Sequence, residues 1–224
     1  MKKLASLFGV FGIAAVVPMA HAAIQISYLI NGVPPTTVCA VNVVSSGPVS
    51  CSISTGGTTI QVSASSNSPG APTLAEEFGS VSVTTTDAVN ISLWISASSF
   101  TAPIAPPDIT SVSSLSTTST TGTGSVNLAT CLDGTKLICG FLTNITETYN
   151  GASFTSHSAN KTISSLSGPY TLTQLINLTL GANSNLSVIT SQVLTPIPEP
   201  ASVALLVGVV LFAAGGIRRQ VHRA

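Results

Sequence analysis

The sequence predicts an all-β fold: an antiparallel β-sandwich body, flanked by an N-terminal signal peptide and a single C-terminal transmembrane helix. Three observations predict it. Apolar residues alternate with polar ones in the central part, Ser and Thr make up about a third of residues 23–197, and an apolar segment lies near each end. A period of two places successive side chains on opposite faces of a strand, which is typical of half-buried β-structure.

The amino-acid composition argues against several classes of function. Of the 224 residues 44% are hydrophobic and only 6% charged, and the net charge is zero, whereas globular domains have about 25% charged residues. Between the two ends the basic residues are Lys136 and Lys161. Binding of nucleic acid needs a cluster of Lys and Arg, so it is not expected. With so few ionisable groups, we expect no enzyme activity, no cofactor and no metal site.

The first 22 residues have the pattern of a secretory signal peptide. Lys2 and Lys3 precede an apolar segment of 14 residues, Leu4–Val17, within the usual 7–15. Small residues, Ala20 and Ala22, follow at the −3 and −1 positions, so cleavage is predicted after Ala22. The alternative is an uncleaved anchor, for which this apolar segment is short.

Residues 23–197 are predicted to form one exported Ser/Thr-rich sandwich domain. The alternation is clearest in Ile24–Ile30, Val89–Ile95 and Tyr170–Leu180. Further strands are predicted at Val38–Val44, Val49–Ser54, Thr58–Ala64, Ser80–Thr86, Val126–Cys131, Lys136–Leu142, Ile145–Tyr149, Lys161–Leu166 and Leu186–Val193. Short strands separated by turn residues such as Asn31-Gly32 favour a sandwich over a βαβ fold.

Four segments are predicted to lie outside the strands. Ser66–Pro72 and Ala102–Asp108 contain prolines and are expected to be loops. Glu76 and Glu77 are expected in a solvated turn between Pro72 and Gly79. The segment Ser111–Ser125 is nearly all Ser, Thr and Gly after its first five residues, so we expect a flexible excursion.

The four cysteines, Cys39, Cys51, Cys131 and Cys139, all lie in the predicted exported part. An even number of cysteines in an exported protein favours disulfide bonds. Turn signals between the members of each close pair favour the pairings 39–51 and 131–139, with crossed pairings as alternatives. A zinc site is less favoured, because neither close pair has the short spacing of zinc ligands.

Catalytic groupings are not evident. His157 is the single histidine of residues 23–197, and no Gly-x-Ser-x-Gly motif accompanies the many serines. We therefore expect His157 to be a surface residue on a strand; a hydrolase that uses it is the alternative. A calcium site at Asp87 or Asp108 is a second alternative, although the acidic residues lack the usual calcium-loop spacing.

Aromatic residues offer one route to a ligand. Trp94 together with Tyr28, Tyr149 or Tyr170 would provide a platform on which sugars stack. Trp94 lies on the opposite strand face from the apolar side chains of Val89–Ile95. Because either face of a sandwich strand can be buried, we expect Trp94 in the core rather than on such a platform.

The C-terminal segment has the most specific pattern of the chain. Pro198-Glu199-Pro200 precedes 17 almost wholly apolar residues, 201–217, which as a helix span roughly 25 Å, enough for a short membrane crossing. Arg218, Arg219 and Arg223 follow and are expected to stay on the cytoplasmic side as a membrane stop. Prolines disfavour helix, so the tripeptide is expected to be extended and accessible.

This arrangement resembles the PEP-CTERM sorting signal over residues 198–224, with Gln220, Val221 and His222 interrupting its basic end. The resemblance implies recognition of the tripeptide by an exosortase, a membrane-embedded cysteine transpeptidase or protease of bacteria that make exopolysaccharide. Signal peptidase is the other processing partner implied. An ordinary C-terminal anchor is the alternative to a sorting signal.

The resemblance leads to an expected function and location. We expect an inner-membrane-anchored precursor with a cytoplasmic C-terminus, which is then released to the outer surface or the medium. The product would be a non-enzymatic cell-surface or extracellular-matrix protein, associated with exopolysaccharide or a biofilm. The alternative is a carbohydrate-binding or adhesion module that uses exposed aromatic residues.

Overall fold

The computed structural model describes residues 23–33, 43–44, 48–68, 70–71, 73–132 and 141–198. Within these ranges the regular structure is entirely β, and no helix long and apolar enough to cross a membrane is found there. The strands are β1 (Ala23–Ile30), β2 (Val43–Val44), β3 (Val49–Thr55), β4 (Thr58–Ser66), β5 (Ala75–Thr85), β6 (Val89–Phe100), β7 (Ile109–Thr121), β8 (Thr123–Leu132), β9 (Phe141–Asn150), β10 (Ser153–Ile163), β11 (Tyr170–Leu180) and β12 (Ser184–Pro196).

Two six-stranded sheets pack face to face. Sheet 1 has the order β2-β1-β6-β11-β8-β9, and sheet 2 has the order β10-β7-β12-β5-β4-β3. Every neighbouring pair is antiparallel. The predicted all-β antiparallel sandwich is confirmed, whereas the predicted signal peptide and transmembrane helix lie outside the described residues.

The core lies between the sheets and follows from the alternation in the strands. In β6, Ile91, Leu93 and Ile95 point inward and are at most 1% exposed, while their polar neighbours face out. Buried side chains of β11, in the same sheet, and of β12, in the opposite sheet, belong to the same core cluster. Burial of each such side chain contributes roughly 1.5–3 kcal/mol to folding.

The segment Ser111–Ser125 is not a flexible excursion: that prediction was wrong. It forms most of β7 and the start of β8, joined at Gly122, whose φ is +89°. The inner face of β7 carries small hydroxyl side chains beside Ile109 and Leu115. Among them, Ser113 shares hydrogen bonds with Thr130 (2.9 Å) and Thr143 (2.7 Å). Ser113 and Thr130 thus occupy positions inside the sandwich that aliphatic residues usually fill, and their hydroxyls satisfy one another together with Thr143.

The predicted turn around Glu76 and Glu77 was also wrong. Both residues belong to β5, where they point to opposite faces, and Glu77 is completely buried. The strand continues beyond the two acids, with Val81 and Val83 at regular inward positions. Burial of an ionised carboxyl group is costly, which favours the protonated form of Glu77.

Two strand boundaries also differ from prediction. The predicted strand Lys161–Leu166 is the end of a longer strand, β10, which begins at Ser153 and ends at Ile163. The predicted strands Lys136–Leu142 and Ile145–Tyr149 correspond to β9 from Phe141 onward, and residues 133–140 lie outside the described residues.

The two ends of the sandwich differ. At one end, here called the turn end, short turns hydrogen-bond to each other, as from Gly151 N to Gly122 O (2.7 Å). At the other, the loop end, longer connections meet, as from Ile197 N to Asp108 O (2.7 Å). Ala23 lies at the loop end as well, because its carbonyl accepts a hydrogen bond from Ser98. The chain thus enters and leaves the sandwich at the same end.

Candidate functional site

The outer face of sheet 2 carries a row of short polar side chains that crosses all six strands. From β3 to β10 the register aligns Ser50, Ser63, Ser80, Ile189, Ser116 and Ser156. These residues face outward because the apolar residues beside them, such as Val62 and Val81, point into the core. The surface is therefore a lattice of hydroxyl groups interrupted by Ile189.

Hydrogen bonding divides this face into two parts. On the β10 side the hydroxyls are paired, since Ser114 and Ser191 share a hydrogen bond of 2.7 Å and Ser116 donates to Ser156 at 3.0 Å. On the β3 side, Ser63 and Ser80 make no side-chain hydrogen bond to any described residue. Their donors and acceptors remain available to a ligand.

Two adjoining depressions lie over this unpaired part. The larger has a volume of about 410 Å³ and is lined mainly by serines of β3–β5 together with Gln61. The smaller, of about 180 Å³, has Pro48, Phe78 and Ile189 in its wall. Ser63 and Ser80 belong to both, so the depressions form one continuous trough, half polar and half apolar.

Three exposed apolar side chains lie on the same outer face of sheet 2. Phe78 is 41% exposed and Ile189 is 58% exposed, on the neighbouring strands β5 and β12. Phe154, 70% exposed, lies at the β10 edge. None of the three was among the residues predicted to bind a ligand; the signal available was that Phe78 and Ile189 interrupt runs of outward Ser and Thr.

This face carries almost no charge. Among the described residues, Glu76 is the one charged side chain at an outward position of the strands of sheet 2, and it lies at the loop end. Lys161 lies on the edge strand β10 opposite the inward-facing Ser111. The described side chains that line the trough are all neutral.

The predicted aromatic residues occupy different places. Trp94 is half-buried on the outer face of sheet 1, between Ser27 and Leu175 of the flanking strands, so its predicted core position was wrong. Trp94 faces outward because its neighbours Leu93 and Ile95 take the inward positions. Tyr28, Tyr149 and Tyr170 are instead buried, at 8%, 6% and 1% exposure. No tyrosine therefore joins Trp94 in an exposed platform.

His157 lies on β10 with its side chain 58% exposed, which confirms the predicted surface position. Its Nε2 atom is 2.9 Å from a carboxylate oxygen of Glu147 on β9, so the pair links the edges of the two sheets. No described serine hydroxyl bonds to this imidazole. The arrangement is that of a polar contact between imidazole and carboxylate at a sheet edge rather than of a nucleophile with its base.

The predicted disulfide residues are partly described. Cys51 on β3 and Cys131 on β8 are both disulfide-bonded, while Cys39 and Cys139 lie outside the described residues. The pairings 39–51 and 131–139 therefore stay predictions. Within the described ranges no group of three or more His, Cys, Asp or Glu side chains is placed to hold a metal ion.

The predicted processing residues lie mostly beyond the described chain. Pro198 is exposed directly after the last contact of the sandwich, whereas Glu199 and Pro200 are not described. The same holds for the membrane-stop residues Arg218, Arg219 and Arg223 and for the cleavage residues Ala20 and Ala22.

Glu77 is the one strongly perturbed acid of the described residues. It lies in the core beneath the trough, where Gln174 of sheet 1 donates through Nε2 to its backbone carbonyl at 2.8 Å. Burial raises the pKa of the Glu77 carboxyl well above its usual value, and hydrogen bonding to Gln174 and to the backbone of Ala97 offsets this only in part. A protonated carboxyl so enclosed is a structural group, because it is not exposed to a ligand.

Comparison with known proteins gives no family. No protein-family model and no curated protein matches this chain. Among solved structures, a CBM4 structure matches at 12% identity with a TM-score of 0.30, over 54% of this chain and 75% of its own. The N-terminal cellulose-binding domain of Cellulomonas fimi β-1,4-glucanase C matches at 11% identity and 0.28, over 51% and 82%.

An arabinose-bound GH51 α-L-arabinofuranosidase also matches, at 11% identity and a TM-score of 0.31, over 66% of this chain and 23% of the enzyme. Scores near 0.3 are too low to align individual residues between these proteins and this chain. These three likenesses therefore carry no conclusion about function.

Proposed function

We propose that this chain is an exported, non-enzymatic cell-surface or matrix protein, released by an exosortase-type enzyme and associated with exopolysaccharide. The sorting motif at residues 198–224 supports export and processing. The observation that carries the proposal is the placement of Ala23 and Ile197, where the chain enters and leaves the sandwich, at its loop end.

This placement suits a protein processed at both ends. Ile197 makes the last backbone contact of the sandwich, a hydrogen bond of 2.7 Å to Asp108, and Pro198 is exposed. The tripeptide Pro198-Glu199-Pro200 therefore begins directly outside the folded body. A membrane-embedded enzyme would reach it without unfolding β12, whose pairing ends at Pro196.

Mass spectrometry of the mature product tests this proposal. We expect a chain that begins at Ala23 and has lost the segment 201–224. Replacing Glu199 by Ala should leave signal cleavage intact but retain the precursor in the membrane. A secreted product that still carries Arg218–Arg223 would contradict the processing, and a chain found in the cytosol with reduced cysteines would contradict export.

Association with polysaccharide is supported by the trough on sheet 2. Exposed Phe78 lies beside unpaired serine hydroxyls, which is the mixture of apolar and hydroxyl groups that sugar rings present. The test is a co-sedimentation assay of the mature protein with the exopolysaccharide of its host. A protein that stays in the supernatant with every polysaccharide offered would contradict this part of the proposal and leave the processing untouched.

A further inference from the structure

We infer that the trough on the outer face of sheet 2 binds an uncharged polysaccharide, whose sugar ring stacks on Phe78 while its hydroxyls bond to the serines of β4 and β5. The inference rests on the proposed association with polysaccharide. It goes further by naming the face, the residues and the class of sugar polymer.

The apolar half of the trough fits one face of a sugar ring. Phe78 stands between Ser65 and Ser191 in the register, so no bulky neighbour on the adjacent strands covers its ring. Ile189 extends the apolar surface on the next strand, and both side chains line the smaller depression. Covering the C–H face of a pyranose would remove this apolar area from water.

The polar half fits the hydroxyl groups at the edge of that ring. Ser63 and Ser80 lie on neighbouring strands at directly opposed positions and line both depressions. Each hydroxyl can donate one hydrogen bond and accept others, and sugar hydroxyls do the same. Gln61, also in the wall, adds an amide that donates and accepts at the far end of the trough.

The charge of the side chains in and near the trough determines which class of polysaccharide it favours. Among the described residues that line the trough there is no Lys or Arg to pair with a uronate or sulfate group. The acidic Glu76 lies on the same face toward the loop end and would repel such groups. An acidic polysaccharide would thus lose solvation without gaining an ion pair, so the site favours a neutral one.

The outer face of sheet 1 is the competing location, where the hydroxyl of Ser27 opposite Trp94 is buried and other polar groups beside Trp94 are already paired. Ser92 donates to Asn177 at 2.7 Å, and Ser96 shares a hydrogen bond of 3.0 Å with Thr173. These pairs flank Trp94 on both sides along the strand. A sugar stacked on that half-buried ring could bond to these hydroxyls only by competing with the existing pairs, which makes this face the poorer site.

The test measures binding of the mature exported protein to a neutral β-glucan, a neutral α-glucan and polygalacturonate by depletion from solution. We expect binding to a neutral glucan that changes little with salt. Phe78→Ala should raise the dissociation constant about tenfold or more, and Phe78→Tyr should retain binding. Ser63→Val should weaken binding about threefold to tenfold.

Two variants serve as matched controls. Phe154→Ala removes an exposed phenylalanine of the same face far from the trough, and Trp94→Ala removes the aromatic residue of the other sheet. Neither should change the dissociation constant. The unfolding midpoint of each variant shows whether a loss of binding reflects loss of fold.

The outcomes separate this inference from the proposal on which it rests. Binding that is lost in Trp94→Ala and kept in Phe78→Ala would move the site to sheet 1, leaving the association with polysaccharide in place. A preference for polygalacturonate would overturn the neutral class. Failure to bind any polysaccharide, including that of the host, would overturn both.

Discussion

Two groups of buried residues within the core of the sandwich, here called the aliphatic layer and the polar layer, differ in chemistry. Toward the turn end lies an aliphatic layer, in which Val83, Leu186, Ile91, Leu178 and Val126 are at most 1% exposed. Toward the loop end lies a polar layer, consisting of Glu77, Gln174, Gln192, Ser113, Thr130 and Thr143, which are at most 6% exposed.

Different interactions stabilise each of the two layers. The aliphatic layer is stabilised by removal of apolar area from water, which needs close packing but no particular direction. The polar layer depends on directed bonds that cross between the sheets, from Gln174 Nε2 to Glu77 O (2.8 Å) and from Gln192 Nε2 to Cys131 O (3.1 Å). The first layer supplies stability, and the second fixes how one sheet sits on the other.

The largest effect is expected in the aliphatic layer. Leu178→Ala would leave a cavity between β6 and β8 and should lower the free energy of unfolding by about 2–5 kcal/mol. Chemical denaturation measures this. Leu175→Ala on the same strand is the matched control, since Leu175 is half-buried on the outer face and should cost less. Equal losses in the two variants would contradict the distinction between inner and outer positions.

The second prediction concerns the buried acid of the polar layer. Because burial raises its pKa, Glu77 keeps a proton in the folded protein at pH values where the unfolded chain releases it. Its contribution to stability is therefore complete below the unfolded pKa and is lost as pH rises toward the folded pKa, with a slope of up to about 1.4 kcal/mol per pH unit.

Glu77→Gln removes this titration and should flatten the dependence of stability on pH above the unfolded pKa. Denaturation at a series of pH values measures it. Glu76→Gln, the adjacent acid on the outer face, should leave the slope as in the parent protein. An unchanged slope in Glu77→Gln would show that the carboxyl is not held neutral in the core.

The smallest effect is expected for the hydroxyl groups of the polar layer. Thr130 shares hydrogen bonds with Ser113 (2.9 Å) and Thr143 (2.6 Å), so Thr130→Val keeps the volume but leaves both partners with one bond fewer. The cost should be about 1–3 kcal/mol in unfolding free energy. Thr148→Val on the exposed face of β9 is the control. If Thr130→Val proves as stable as the parent, these hydroxyl bonds contribute nothing.

These layers also show what the sequence could predict. In β1 and β6 apolar residues recur at every second position, and in β11 Gln174 is the one exception, so the amino-acid pattern alone identifies the inner face. In β7 both faces carry Ser and Thr: Ser113 lies inside and Ser114 outside. Binary patterning has no contrast to detect there, and the strand was missed for that reason.

The predictions for the acid pair and for the tryptophan were wrong for different reasons. Glu77 was placed in solvent because a fully buried acid is rare, and no local pattern indicates one. Trp94 could have been assigned to the outer face, since Leu93 and Ile95 already occupy the inward positions beside it.

The trough could not be predicted, because it depends on contacts distant in the sequence. Phe78 and Ile189 are brought together only by the pairing of β5 with β12, and Ser63 joins them through β4. Each of these residues by itself is an ordinary member of an alternating strand. The register between strands, which single-sequence patterns do not specify, creates the site.

The shared entry and exit of the chain has a consequence for how the body would stand on a cell. With 13 residues, β12 measures about 40 Å from base to tip. Held by its C-terminus, the sandwich would project from the membrane along its strands, and the outer face of sheet 2 would be open to polymer strands passing laterally. Cleavage at the tripeptide would then release the body without altering that face.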